Sequence, residues 1–431
     1  MKQLLRKFVR SDVSVLMIAG VVSQAVNVVA YPVLTNFYTP EHFGLFSVLA
    51  STSTFAGAVV LLRIETLYQI APKEEEEGLL HSSIVVALGM TALILMIALF
   101  FGEVLIGKIG ANVESNTWHW SYAFLVAALA LVNGLMSLGR EVTAKNRRYN
   151  RLAVSQITRT ALTVGGQLGL VLMLKNAGAG GLIAGFSLGM VTATLVIWPI
   201  RGAVIQTIVA SPGLLIAATR SVLHQYRSYI RVDVVNVLIR LSTLVAYPIF
   251  VLASFGVAEA GLYAVASRIT FIPIDVLGVA ISTVYFQRFA KAVREGHGLA
   301  RLYLVTLLGA LCAALAITGL LSVASGPLVD MIFGDAWVRT GVIILCLLPT
   351  FVSRFVTVCI GSTPLAMKRP DILLYWNLSQ LAIIGVALWA TRDQTLEAFL
   401  LYSGFAFVAA STIYAFILLA TISGLKTVEV T

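Results

Sequence analysis

Charged side chains are scarce in this sequence. Asp, Glu, Lys and Arg make up 12% of the 431 residues, about half their share in an ordinary soluble domain. The mean hydropathy is +0.93. This composition excludes a soluble globular fold and favours a membrane protein.

Catalytic and metal-binding patterns are also missing. No phosphate-cradling P-loop occurs, which excludes ATP hydrolysis by the chain itself, and no predicted loop is long enough for a catalytic domain. The cysteines Cys312, Cys346 and Cys359 lie in apolar runs, with neither a disulfide framework nor metal-ligand spacing. We therefore predict a protein that is not an enzyme and has no metal or cofactor.

Long apolar runs are the dominant feature that is present. Each is about 20 residues long, which is enough to cross a bilayer as a helix. We predict twelve spans, at about 13–36, 43–68, 82–107, 118–139, 152–174, 179–200, 228–252, 258–285, 301–324, 340–364, 372–391 and 396–420.

A short motif occurs twice, half the chain apart. Val29–Pro32 recurs as Val245–Pro248, 216 residues later, and Gly44 matches Gly261 at an offset of 217. Internal repeats of this kind are typical of membrane transporters, and six spans per half make the two repeats parallel. We therefore predict an all-α polytopic membrane protein with two parallel six-helix bundles. The predicted domains are 1–205, an inner-surface linker helix at 206–227, and 228–431.

The basic residues predict the orientation of the spans. Of the 30 Lys and Arg residues, 21 fall on one side of the predicted membrane, 4 on the other and 5 inside spans. The positive-inside rule places the richer side, with both termini, in the cytoplasm. The net charge of +10 therefore has a topological explanation, and no nucleic-acid partner is expected.

Eight charged residues fall within the predicted spans, where each charge near the centre costs about 2.5–3.5 kcal/mol on insertion scales. They are Arg63, Arg159, Arg240, Arg268, Arg354, Glu65, Asp233 and Asp275. Five arginines against three acids leave positive charge that pairing does not neutralise, and a guanidinium group suits phosphate or carboxylate. We predict that the arginines bind an anionic substrate between the halves, and that the acids are candidates for coupling to a proton or a sodium ion.

Two of the arginines lie deepest. Arg240 and Arg268 fall roughly 18 and 15 Å into their spans at 1.5 Å per residue. Asp233 is seven residues from Arg240, and Asp275 is seven from Arg268, so each pair shares a helix face. Structural ion pairing across the helices is the competing explanation.

The opening stretch resembles a known family. The segments VVSQAVNVVAYPVLTNFYTPEHFGLFSVLAS and LLRIETLYQIAPKEEEE are similar to bacterial oligosaccharide flippases of the polysaccharide transport family. These belong to the multidrug/oligosaccharidyl-lipid/polysaccharide exporter superfamily. The residues that carry the resemblance are Pro32, Leu34, Tyr38, Pro40, Phe43, Gly44, Arg63 and Glu65.

The resemblance implies a flippase in the bacterial cytoplasmic (inner) membrane. It implies that undecaprenyl-diphosphate-linked oligosaccharide moves from the inner to the outer leaflet by alternating access, for polysaccharide or O-antigen (lipopolysaccharide) synthesis. The expected partners are this anionic lipid, membrane lipids, and polymerase or glycosyltransferase proteins. Two alternatives stay open: a multidrug cation exporter of the same superfamily, and a membrane polysaccharide polymerase or ligase.

Overall fold

A computed structural model describes residues 12–69, 71–109, 117–174, 178–198, 212–391 and 393–428. Regular structure in these ranges is helical, and none of the described residues lies in a β-strand. The predicted all-α membrane fold is therefore confirmed. The predicted cytoplasmic termini at 1–11 and 429–431, and residues 206–211 of the predicted linker, lie outside the described ranges.

The chain divides into two compact units, residues 1–245 and 246–431. The first unit contains eight described helices and most of a ninth. They are α1 Asp12–Thr35, α2 Pro40–Val59, α3 Ile64–Leu67, α4 Glu76–Ile109, α5 Thr117–Lys145, α6 Tyr149–Leu174, α7 Gly178–Ile197, α8 Pro212–Gln225 and α9 Arg227–Phe255. The predicted domains at 1–205, 206–227 and 228–431 stay a prediction.

The second unit contains the end of α9 and seven further described α-helices. They are α10 Val257–Pro273, α11 Val279–Glu295, α12 Leu299–Ile332, α13 Arg339–Ile360, α14 Thr363–Ala366, α15 Pro370–Ala390 and α16 Leu396–Val428. A π-helical turn, Ile274–Gly278, joins α10 to α11. The buried core of the second unit includes Phe289, Phe351 and Phe355.

Eleven of the described helical segments are long and apolar enough to cross a membrane, and α9 makes a twelfth if its two straight parts count as one span. Helix α9 bends by 43° between Tyr229–Thr243 and Val245–Phe255. The bend lies one turn before Pro248, whose ring crowds the carbonyl group four residues earlier and whose nitrogen donates no hydrogen bond. The sequence of the repeat motif thus explains the irregular span.

Close packing of α6 on α7 depends on two glycines. A Cβ atom at Gly189 would lie 2.0 Å from Thr163 Oγ1 and 2.5 Å from the Arg159 carbonyl oxygen, and one at Gly185 would lie 2.5 Å from the Gln167 nitrogen. Glycine has no side chain to separate the two helix backbones, so they can approach closely. The van der Waals attraction between the helices increases as a result. Gln167 also donates to the Leu182 carbonyl oxygen at 3.1 Å.

Lys145 links the end of α5 to the start of α4 and to the segment that precedes it. Its Nζ lies 2.8 Å from Glu76 Oε1 and donates to the carbonyl oxygens of Tyr68 and Ala71, each at 2.8 Å. The Tyr226 hydroxyl donates to Glu75 at 2.7 Å. Two of the four consecutive glutamates are therefore held by specific partners.

Candidate functional site

The second helix of the chain breaks where the sequence predicts a continuous span at 43–68. Helix α2 ends at Val59, and Leu62 and Arg63 then adopt positive φ angles of 48° and 63°. Left-handed backbone at a residue other than glycine costs of order 1–3 kcal/mol and persists where surrounding contacts hold it. Two such residues in succession mark this turn as a site whose geometry is imposed by its contacts.

The Arg63 side chain supplies those contacts. Its Nε donates to Asp233 Oδ2 at 2.9 Å, and its Nη1 donates to Glu65 Oε1 at 2.9 Å. The Thr66 hydroxyl donates to the Arg63 carbonyl oxygen at 2.7 Å and lies 3.3 Å from Asp233 Oδ2. We call Arg63, Glu65 and Asp233 the Arg63 cluster. It joins the turn after α2 to α9, 170 residues later in the chain.

Burial differs sharply within the Arg63 cluster. The Glu65 side chain is 2% exposed, whereas Arg63 and Asp233 are 21% and 27% exposed. Burial raises the pKa of Glu65 to about 7, and the neighbouring Arg63 charge opposes this rise without cancelling it. Glu65 Oε2 is buried without a hydrogen-bond partner among the described residues. Burial thus makes the charged form of the Glu65 carboxyl group less favourable than it is in water.

Arg240 lies on the same helix as Asp233 but does not pair with it. Its side chain is exposed, and it interacts electrostatically with Arg63, which repels it, and with Asp233, which attracts it. The seven-residue spacing predicted a shared face for Asp233 and Arg240; the ion pair of Asp233 is with Arg63 instead. No ion pair joins Arg240 to another described residue.

Arg159 belongs to the packed α6–α7 contact. It lies on α6 and is half-buried, and its carbonyl oxygen faces Gly189 at the close approach described above.

Three of the predicted residues lie in the second unit. Arg268 on α10 and Asp275 in the π-helical turn are exposed, and Arg354 on α13 is half-buried. Asp275 interacts electrostatically with both Arg268 and Arg354. The Arg354 guanidinium carbon lies 4.5 Å from the centre of the Phe271 ring, a cation–π contact.

A π-helical turn begins at Ile274, just before Asp275. A spacing of seven gives one face only in an unbroken α-helix, and the wider turn with i→i+5 bonds begins at Ile274. The structure therefore gathers seven of the eight predicted site residues into two groups, one in each unit, and leaves Arg159 in the α6–α7 contact. The Arg63 cluster with Arg240 is the first, and Arg268, Asp275 and Arg354 form the second.

Sequence reasoning missed the turn at 60–63 and the contacts of Thr66 and Phe271. The segment Val60–Arg63 contains no Gly, Pro, Asn or Asp, the residues that ordinarily signal a turn. A cation–π contact between α10 and α13 has no spacing rule. The Arg-x-Glu pattern at 63–65 was the one available signal, and it came from the family resemblance.

Comparison with known proteins identifies the family. The family described as "Polysaccharide biosynthesis protein" matches residues 33–341. The teichuronic acid biosynthesis protein TuaB of Bacillus subtilis (strain 168) is 29% identical over 136 residues, which are 31% of this chain and 28% of that protein. The chain thus spans less than a third of the length of this relative.

Two solved structures share the fold across most of both chains. A structure of the lipid II flippase MurJ in an inward closed conformation has a TM-score of 0.69 at 14% identity, covering 93% of this chain and 86% of that one. An inward-facing multidrug resistance MATE family transporter of the MOP superfamily has a TM-score of 0.64 at 16% identity, covering 94% and 96%. At these identities the likeness shows a transporter fold. Because the family match extends over well over half of the sequence, the chain belongs to the polysaccharide biosynthesis protein family.

Proposed function

We propose that this protein flips undecaprenyl-diphosphate-linked oligosaccharide from the inner to the outer leaflet of the bacterial cytoplasmic membrane, by alternating access, for polysaccharide or O-antigen synthesis. The family match and the transporter fold support this proposal. Polymerase or glycosyltransferase partners would then supply or consume the lipid-linked unit. The protein itself would catalyse no covalent step.

The observation that carries the proposal is the state of Arg240 and Arg268. Arg268 lies in an apolar helical segment of membrane-spanning length, and Arg240 lies in the first part of the bent helix α9. Both are exposed, and neither forms an ion pair with a described residue. A guanidinium group near the midplane without a carboxylate partner is costly, so an anionic ligand would stabilise it. Its planar fork gives two parallel hydrogen bonds to a phosphate group.

The other arginines would act differently. Arg63 already bonds two carboxylates, so we assign it a positioning role, and Arg354 is held over Phe271. Arg159 contributes its carbonyl oxygen to the α6–α7 contact, and we assign it a structural role. Substrate contact is thus assigned chiefly to Arg240 and Arg268.

We assign coupling to an ion gradient to Glu65 and Asp233 in preference to Asp275. Glu65 is buried, carries an unpartnered oxygen and has a pKa near neutrality, so a proton is the favoured coupling ion over sodium. Protonation of Glu65 would leave Arg63 bound to Asp233 alone. The left-handed turn at Leu62 and Arg63 would then lose one of its two anchors, which would link protonation to backbone movement.

The test of substrate binding uses export of the glycan by cells that depend on this protein. Arg240→Ala and Arg268→Ala should each reduce export at least tenfold with normal amounts of protein in the membrane. Lys at either position should restore export only in part, because it keeps the charge and loses the fork. Arg231→Ala, at an exposed arginine near the start of α9, is the matched control and should export normally.

Full export by both Ala variants would refute the phosphate-binding role. A reconstituted assay separates the loss of substrate binding from the loss of a protein partner. The purified protein in vesicles should move a fluorescent polyprenyl-diphosphate sugar across the bilayer, and the same two Ala variants should not.

The fold likeness to a multidrug transporter supports a second candidate, export of organic cations. The same vesicles decide between the two. Uptake of ethidium that survives Arg240→Ala and is lost in Asp233→Asn would favour the cation exporter, because a cation needs the carboxylate and is repelled by the arginine.

The proposed orientation places both termini in the cytoplasm. Reporter fusions after residues 75 and 145 should then report the cytoplasm, and a fusion after residue 112 should report the outside. Any reversal would overturn the orientation drawn from the basic residues.

A further inference from the structure

Asp275 is the acidic residue of the second group, and the transport and coupling steps proposed above leave it without a use. It is exposed and lies in the helical segment Val257–Glu295, which is long and apolar enough to cross a membrane. A carboxylate within a membrane span is costly unless it faces a polar space or an opposite charge. Asp275 also lies in the π-helical turn Ile274–Gly278, and such turns occur frequently at functional sites.

Two guanidinium groups lie within electrostatic range of Asp275. Arg268 belongs to the same helical segment, and Arg354 approaches from α13. The Arg354 guanidinium carbon lies 4.5 Å from the centre of the Phe271 ring, and Phe271 is four residues before Asp275. The backbone between these two residues keeps right-handed helical dihedral angles, so they are neighbours on the helix surface. Asp275 accordingly interacts with both arginines, and the larger interaction is with Arg268.

The two arginines are held differently. Arg354 is half-buried and lies over the Phe271 ring, and an aromatic ring attracts a guanidinium group. Arg268 is exposed and forms no ion pair with a described residue. Arg354 can therefore hold the Asp275 carboxylate while Arg268 exchanges one anion for another.

We propose that Asp275 competes with the diphosphate of the substrate for Arg268 and so promotes release of the substrate, with Arg354 as the anchor of the carboxylate. This inference rests on the proposed flippase function. A carboxylate and a phosphate both suit the guanidinium fork, and their like charges repel each other. While the phosphate occupies Arg268, Arg354 retains Asp275; as the phosphate leaves, Asp275 takes its place.

This role predicts opposite changes in affinity and in rate when the carboxylate is removed. A competitor weakens binding of the substrate and speeds its release, so its loss should strengthen binding and slow transport. If Asp275 only neutralised the arginines for folding, its loss would reduce the amount of folded protein or weaken binding. If Asp275 coupled transport to an ion gradient, its loss would leave binding unchanged.

Asp275→Asn separates these explanations because it keeps the shape of the side chain and removes its charge. The probe is a fluorescent polyprenyl diphosphate without a sugar; its binding to the purified full-length protein gives the affinity, and its movement across vesicles gives the rate. Asp275→Asn should bind the probe about tenfold more tightly than wild type, equivalent to about 1.4 kcal/mol. It should move the probe about tenfold more slowly, because the barrier to release rises by the same amount.

Two further variants serve as controls. Asp275→Glu keeps the charge and should return both the affinity and the rate toward wild-type values. Glu295 is 44% exposed at the end of α11, outside the second group. Glu295→Gln removes the same charge as Asp275→Asn and should leave affinity and rate unchanged.

Arg354→Gln tests the anchor. Without Arg354 the Asp275 carboxylate is free to compete for Arg268 throughout the cycle, so the variant should bind the probe about threefold more weakly than wild type. Adding Asp275→Asn should raise the affinity to that of Asp275→Asn alone. This non-additive result is the coupling that a double-mutant cycle measures.

The outcomes distinguish the role of Asp275 from the proposed function. A wild-type protein that does not bind polyprenyl diphosphate would contradict the flippase function, and the role of Asp275 with it. Binding by the wild type, with equal or weaker binding by Asp275→Asn or loss of that variant from the membrane, would overturn the role of Asp275 alone. A double variant that binds more weakly than Asp275→Asn would show that Arg354 contacts the phosphate directly and would overturn its role as the anchor.

Discussion

Removing the Arg63 guanidinium group tests what holds the break after α2. We expect Arg63→Ala to lower the stability of the protein at pH 8 by about 1–2 kcal/mol. The Glu65 carboxyl group has a pKa of about 7, so it avoids the larger cost of an unpaired buried charge by taking up a proton, which costs about 1.4 kcal/mol per pH unit above that pKa. The cost arises mainly at Glu65, which is 2% exposed. Asp233 is 27% exposed and loses far less, since partly solvated pairs contribute about 0–1 kcal/mol. Alanine and arginine bear the same left-handed strain at position 63, so the difference reports the side chain.

A double variant separates the charge of Glu65 from other effects of the substitution. Arg63→Ala with Glu65→Gln should recover most of the lost stability, because glutamine brings no charge into the buried position. A positive coupling energy in this double-mutant cycle is the expected sign of a direct pair.

The penalty should also depend on pH. Burial raises the pKa of Glu65 to about 7 while Arg63 opposes the rise, so the carboxyl group becomes still harder to ionise without Arg63. At pH 5.5 it is neutral with or without Arg63. At pH 8 the wild type holds it ionised beside Arg63, whereas the variant must leave the charge unpaired or protonate it. The deficit of Arg63→Ala should therefore be small at pH 5.5 and large at pH 8, measured as the melting temperature of the purified protein in detergent. An equal deficit at both pH values, or a double variant no more stable than the single one, would refute this reasoning.

Three further predictions follow from the described contacts. The pKa of Glu65 in the folded protein, about 7, lies above its value in the unfolded chain. Wild-type stability should therefore fall as pH rises from roughly 4.5 to 7 and then level off. The Glu65→Gln variant should not show this fall in melting temperature. Gly189→Ala should cost about 1–3 kcal/mol because its Cβ would overlap Thr163 and the backbone, whereas Gly169→Ala, which meets nothing within 4 Å, should leave the melting temperature unchanged or higher. Lys145→Met should destabilise the protein by about 1.5–3 kcal/mol through its lost charged hydrogen bonds, and a melting temperature equal to wild type would contradict this.

The helical membrane fold could be predicted from the sequence because hydropathy is a local property. Apolar runs of about 20 residues give nearly the observed spans. Backbone hydrogen bonds within a bilayer must close within a helix, so length and composition decide the outcome with little help from tertiary contacts.

The break at 60–63 could not be predicted in this way. Nothing in Val60–Arg63 disfavours a helix, and the interaction that holds the turn comes from Asp233, 170 residues away. Spacing rules placed Asp233 and Arg240 on one helix face, because such rules compare residues on one helix only. The actual partner reaches Asp233 from a different element, and a single sequence carries no signal for that pairing.

The sequence repeat explains where the helices become irregular but does not explain where the charged residues lie. By the offset that aligns Gly44 with Gly261, the break at 60–63 corresponds to 277–280, where the π-helical turn ends. The second helix of each repeat thus departs from regular geometry at the same point.

The charges do not follow the repeat. The same offset aligns Arg63 with Ala280 and Glu65 with Ser282, and Arg268 with Ser51. Irregular backbone at equivalent positions is therefore a property of the shared scaffold. In the first half it is a left-handed turn held by the Arg63 cluster, and in the second half it is the π-helical turn after Pro273. The charged residues are thus specific to each half, whereas the irregular backbone is common to both.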